Sequence, residues 1–233
     1  MKTMKVVAVS VALISMLGAT AAEKKFATGE SVSFTAADAE IVIAVKASPV
    51  LRFAAKEAKT FLSQVLGVDV PIVNEPSQGK ASLVLGANGW ADAAGFTTNS
   101  LVRDAYTIAA KGSCVYVLGR DSATVDPEWV LKHGGWSSVL FERATMFGVY
   151  DFLERFAKVR FYFPGELGTI VPKAAAVVVR DGVTVSPDFT SPSCRRGTAN
   201  TWRTTKEASR RRSTISVCDM KRSASRAATA PTA

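Results

Sequence analysis

The order of predicted elements is what most limits the fold: strand, helix, a run of strands, helix, strand. Residues 39 to 46 are β-branched and mostly apolar, as a buried strand requires. Ser48 then caps a helix whose first position is Pro49, where a missing N–H is harmless. Leu51, Ala54, Ala58, Phe61, Leu62 and Val65 recur at helical spacing, and Gly67 closes the helix as a left-handed cap. Val70 to Val73 and Ser82 to Leu85 read as short strands joined by a turn-rich link. Asp104 to Ala109 and Cys114 to Leu118 bracket Lys111-Gly112 and predict a hairpin. Gly119 to Val139 reads as a long irregular stretch. A second helix is expected from Phe141 to Ala157, with Met146, Val149, Tyr150, Leu153 and Phe156 on its apolar face. Arg160 to Phe163 then reads as a return strand, and Ala175 to Arg180 as one more.

This order predicts an α/β sandwich, one mixed β-sheet with two main helices packed against it. The antiparallel hairpin argues against a fully parallel doubly wound sheet. Two helices do not cover both faces of a wide sheet, so the second face is expected to be partly open or docked onto something.

Residues 1–22 have the three zones of a secretory signal peptide. Lys2 and Lys5 precede an apolar run from Val6 to Leu17, and Ala19-Thr20-Ala21 fits the small-x-small rule for cleavage. The run falls short of the ~20 residues that span a bilayer. The expected destination is therefore the periplasm or the outside of the cell, with no membrane attachment after cleavage. The chain has 233 residues and a net charge of +9, but residues 191–233 hold ten Lys/Arg against two acids. The basic character belongs to the tail, and the body is close to neutral. Cys114, Cys194 and Cys218 are too few and too scattered for a disulfide framework, although Cys194 with Cys218 is a conceivable pair.

Most standard catalytic motifs are absent: there is no nucleophile elbow, no phosphate-binding loop and no His-Glu-x-x-His. Leu85-Gly86-Ala87-Asn88-Gly89 lacks the third glycine of a dinucleotide loop and no helix clearly follows it, so it reads as a strand-end turn. With one histidine and no Cys-x-x-Cys, neither a metal nor another cofactor is expected. The candidate binding residues are Trp129, His133 and Trp136 in the long stretch. Aromatic faces stack on sugar rings and a nearby imidazole can move a proton; equally, such residues serve as ordinary cover for a core. None of the acids forms a recognisable glycosidase pair. Asp151 and Glu154, beside Arg155, read as a solvated helix face.

The segment Arg143-Ala144-Thr145-Met146-Phe147-Gly148-Val149-Tyr150-Asp151-Phe152-Leu153-Glu154, followed by Val159-Arg160-Phe161-Tyr162-Phe163-Pro164-Gly165-Glu166-Leu167-Gly168 and Val171-Pro172, is the most informative stretch. It resembles a block of the α/β domain that precedes the catalytic barrel in α-glucuronidases of glycoside hydrolase family 67 and β-N-acetylhexosaminidases of family 20. Related secreted bacterial proteins couple the same domain to one of unknown function. Phe61 to Val73, Ser82 to Gly86 and the hairpin Asp104 to Gly119 are similar to its other motifs, so the resemblance covers about residues 37–188. Ala144 and Ala157 stand where that family has glycine. The resemblance implies a non-catalytic domain: in those families the acid/base and nucleophilic groups act in the downstream barrel, and the adjacent Asp-Glu pair of family 20 is missing here.

The expected organisation is thus a signal peptide over 1–22, the glycoside-hydrolase-type N-terminal domain over 23–188 and a basic tail over 189–233. After Thr190 the tail contains no Leu or Phe and one Ile, too little to build a core. Two origins are open: a disordered basic arm, or translation out of frame in place of a lost barrel. No specific nucleic-acid partner is expected; the expected partners are a carbohydrate or the missing C-terminal barrel. The family's enzymes cleave glycosidic bonds, whereas this chain is expected to be truncated before its catalytic domain. The alternative is a stand-alone extracellular carbohydrate-binding module.

Overall fold

The computed structural model describes residues 22–133, 141–163 and 165–187. The predicted signal peptide, Trp136, Cys194, Cys218 and the basic tail lie outside them. The described chain forms one mixed sheet of seven strands with two helices on one face. Its strands are β1 (Ala22–Thr35), β2 (Ala39–Val42), β3 (Ile72–Val73), β4 (Ala81–Leu85), β5 (Tyr106–Lys111), β6 (Cys114–Gly119) and β9 (Ala176–Ser186), in the order β1-β9-β5-β6-β4-β2-β3. From β6 to β3 the neighbours are parallel, while β5 is antiparallel to β6 and β9, and β9 to β1. The expected α/β class and mixed sheet are therefore observed.

Helix α1 (Pro49–Leu66) is built as its sequence requires. The Ser48 hydroxyl accepts the Leu51 N–H, Pro49 opens the helix, and Gly67 ends it at φ 74°, its N–H donating to the Ser63 carbonyl at 2.8 Å. Its buried stripe of Leu51, Ala54, Ala58, Phe61, Leu62 and Val65 lies against the sheet. Helix α4 (Ala144–Arg155) lies beside it with nearly every side chain buried. Gly148 lets α4 approach the sheet, because a Cβ there would sit 2.7 Å from Cγ1 of Val117.

The second face is half covered. Val42, Val84, Cys114, Tyr116 and Leu118 pack under Ala91, Trp90 and Phe96 from a short helix α2 (Gly89–Ala93) and the loop after it. Towards β9 the face is polar or open, with Thr107 hydrogen-bonded to Thr184 and Val178 exposed.

Several expectations need correction. A short helix does follow Gly86-Ala87-Asn88: Asn88 caps α2, its side-chain oxygen accepting the Trp90 and Ala91 N–H groups. The stretch after Gly119 contains α3 (Pro127–His133), so Trp129 and His133 are helical. Residues 160–163 do not return to the main sheet. Only Arg160–Phe161 is extended, as β7, and it pairs with β8 (Thr169–Ile170) in a separate two-stranded sheet. The edge strand β1 was not expected at all. Asp151 and Glu154 are not a solvated face; both are buried, at 0% and 4% exposure.

Candidate functional site

Of the three residues with sugar-binding chemistry, the structure brings Trp129 and His133 together on α3, and Trp136 lies outside the described residues. Pro127 and Val130 bury the inner side of α3, and Glu128 pairs with Lys56 of α1 at 2.6 Å, which pins the helix outward. Trp129 is left 57% exposed. The His133 ring lies 5.2 Å from the indole at 33°, and its Nδ1 is 3.2 Å from the Trp129 carbonyl. A carbonyl only accepts, so Nδ1 donates there, and in that neutral tautomer Nε2 is the accepting nitrogen. The pair offers an open aromatic face flanked by a hydrogen-bonding nitrogen.

A second cluster sits where the parallel strands β2, β4 and β6 end, the edge at which α/β sheets commonly hold ligands. Three helices start there, but each start is satisfied by the protein itself. Ser48 caps α1, Asn88 caps α2, and the Asp121 carboxylate accepts the Thr145 N–H in the first turn of α4 at 3.0 Å. The places an anionic ligand would take are thus filled. Burial pushes the Asp121 carboxyl up to about 7, its hydrogen bonds to Thr145 opposing the rise. Around it Arg120 pairs with Glu142 at 2.9 Å, and Arg143 lies between the rings of Phe141 and Phe147 at 4.9 and 5.3 Å. Burial likewise raises Asp104, against the fields of Arg103 and Arg143.

A third cluster is closed. Asp151 is bound by Arg155 at 3.0 Å, and Arg155 reaches on to Glu23 at 3.1 Å. Burial raises both the Asp151 carboxyl and the Tyr106 phenol beside it. Glu154 is pushed up to about 7 by burial, offset by Arg160 and the Phe161 N–H. Glycoside hydrolysis needs two carboxyls flanking a bond that substrate can reach. Asp151 and Glu154 are both buried in the folded chain. Among the described residues no group of three or more His, Cys, Asp or Glu is placed to hold a metal ion, and no helix is long and apolar enough to cross a membrane.

Sequence reasoning missed the burial of Asp151 and Glu154 and the capping role of Asp121. The available signal was the apolar character of α4 on every side, which leaves no polar face for its acids to occupy.

No family model matches the sequence, and no curated protein matches it either. Solved structures are similar in part. A mutant β-hexosaminidase of Streptomyces plicatus in complex with its product GlcNAc is 14% identical at a TM-score of 0.41, covering 72% of this chain and 25% of that one. The GH20 β-N-acetylhexosaminidase of Streptomyces coelicolor A3(2) is 15% identical at 0.37, with 72% and 25% covered. A family GH115 4-O-methyl-α-glucuronidase specific for decorated arabinogalactans is 13% identical at 0.36, with 64% and 18% covered. This chain therefore spans about a quarter or less of those proteins' length.

Proposed function

We propose that this chain carries a non-catalytic accessory domain of a secreted or periplasmic glycoside-hydrolase-like protein, one that supports a catalytic unit acting on glycans. One observation carries the reading: the helical half of the block with the family resemblance is committed to packing. In it, α4 is buried almost throughout, and Phe161 is wedged edge-on between Phe61 and Tyr150 at 5.1 and 5.5 Å. Its buried acids Asp151 and Glu154 are closed to substrate. A segment so used holds a fold together and leaves chemistry to another domain.

The test is hydrolysis of aryl β-N-acetylglucosaminides and aryl α-glucuronides by the purified chain between pH 4 and 8. No turnover above buffer is expected. Turnover that disappears in Glu154→Gln or Asp121→Asn would overturn the reading.

The second reading is a carbohydrate-binding module, favoured by the open Trp129 face with His133 stacked beside it. In that case calorimetry with soluble polysaccharides detects binding, and Trp129→Ala weakens it about tenfold, the loss of ~1.4 kcal/mol of stacking. Equal affinity of wild type and variant would count against the site.

A further inference from the structure

Residues 160–163 and 165–170 form a small tongue that stands apart from the main sheet. Among the described residues its two strands pair only with each other, and the Tyr162 N–H donates to the Gly168 carbonyl at 2.8 Å. Its outer side is apolar and open: Tyr162 is 64% exposed, Phe163 55%, Leu167 93% and Ile170 54%. The rear root is fastened to α1, where the Ala174 N–H meets the Val65 carbonyl and Lys173 meets the Gln64 carbonyl. The front root is fastened to α4. There the Phe161 ring wedges against Phe61 and Tyr150, and Arg160 donates to the Glu154 carbonyl at 2.7 Å and the Val159 carbonyl at 2.9 Å.

Glu154 lies at that front root, in the last turn of α4. Its carboxyl takes the Phe161 N–H, while Oε2 has no hydrogen-bond partner among the described residues. The charged groups facing it are Arg160 from β7 and Asp151 one turn back on α4. Arg155, next along, is turned towards Asp151 and Glu23. A buried carboxyl with an orphaned oxygen is tolerable while neutral and costly when ionised.

We propose that Glu154 is a proton-controlled latch: neutral, it keeps the front root of the tongue seated on α4, and ionised, it loosens that root so that water reaches Oε2. The tongue gives way first because, among the described residues, its strands take no part in the ladder of the main sheet, whereas the rest of Glu154's surroundings is α4 and the core. Burial outweighs Arg160 and the Phe161 N–H, so the change falls around pH 7. Raising the pH therefore frees the front of the tongue and with it the position of its apolar outer side.

Hydrogen exchange of the full chain at pH 6 and pH 8, corrected for intrinsic amide chemistry, tests this. The expected result is a loss of protection at the Phe161 and Tyr162 amides at pH 8 that exceeds the loss at α1 amides by about tenfold. Glu154→Gln, neutral at both pH values, should abolish the difference. A carbon-detected titration of the wild-type Glu154 carboxyl gives a second readout independent of whether the variant folds, and its midpoint should lie near pH 7. Unchanged protection in wild type, the same loss in Glu154→Gln, or a midpoint in the ordinary carboxylate range would each overturn the latch.

Discussion

At the scale of single residues, three acids of this domain, Glu40, Asp151 and Glu154, are placed inside it. Asp151, Arg155 and Glu154 follow the spacing of an exposed helix face, so their pattern alone reads as solvated. The reading fails because α4 is enclosed by α1, the sheet and the start of β1, whose Glu23 comes from 132 residues away to meet Arg155. Local spacing carries no trace of so distant a partner. Asp121 is a similar case with a consequence in pH. Its carboxyl stands at about 7 in the folded chain, against ~3.9 when unfolded. The folded state then binds more protons than the unfolded one between those values, and stability must fall as pH rises from about 4 to about 7. Glu154, also near 7, adds to the same slope. Asp121→Asn keeps an oxygen for the Thr145 N–H and removes the titration. Urea unfolding at pH 5 and pH 8 should show the wild type less stable at pH 8, and the variant should lessen that difference by on the order of 2 kcal/mol. An undiminished slope in the variant would place the proton uptake elsewhere.

At the scale of elements, legibility followed local self-sufficiency. Helix α1 was readable because its cap, its opening proline, its apolar stripe and its closing glycine all lie within it. The β5–β6 hairpin was readable because Gly112 sits in its turn at φ 63°. Helix α3 was hidden in a stretch of mixed composition, with two turns at most to show a period. Strand β1 was hidden for a different reason. Ala22 to Gly29 is rich in charge and small residues, and only Val32 and Phe34 point into the core. Its identity depends on β9, which it pairs in two stretches on either side of a break between Phe26 and Ser31. Phe34 is the residue that makes this edge part of the fold, since it is fully buried and meets Phe152 edge-on at 5.9 Å. Phe34→Ala should cost about 3–5 kcal/mol, from lost transfer energy and the cavity left against α4. Denaturant unfolding measures it. A loss below ~1 kcal/mol would show that β1 is dispensable to the core.

At the scale of the whole molecule, the decisive element is the last one. Strand β9 lies between β1 and β5, so the sheet is completed only when the chain reaches Ser186. Val177, Val179, Val183 and Val185 project from it into the main core, alongside Phe34, Ile108 and Phe152. Everything that supports β1, including the meeting of Glu23 with Arg155, depends on this strand being in place. The main sheet therefore needs β9 as far as Ser186. A chain covering residues 23–187 should unfold cooperatively, with Tm within about 2 °C of the chain that retains 188–233, since the residues removed include few large apolar side chains. A chain stopped at residue 175 loses β9, leaves β1 without a neighbour and uncovers the valine row of the core; it should fail to give a cooperative transition. Calorimetry on the three lengths decides. If removing 188–233 lowered Tm by ten degrees or more, the basic segment would be part of the folding unit, and the domain would have to be redrawn to include it.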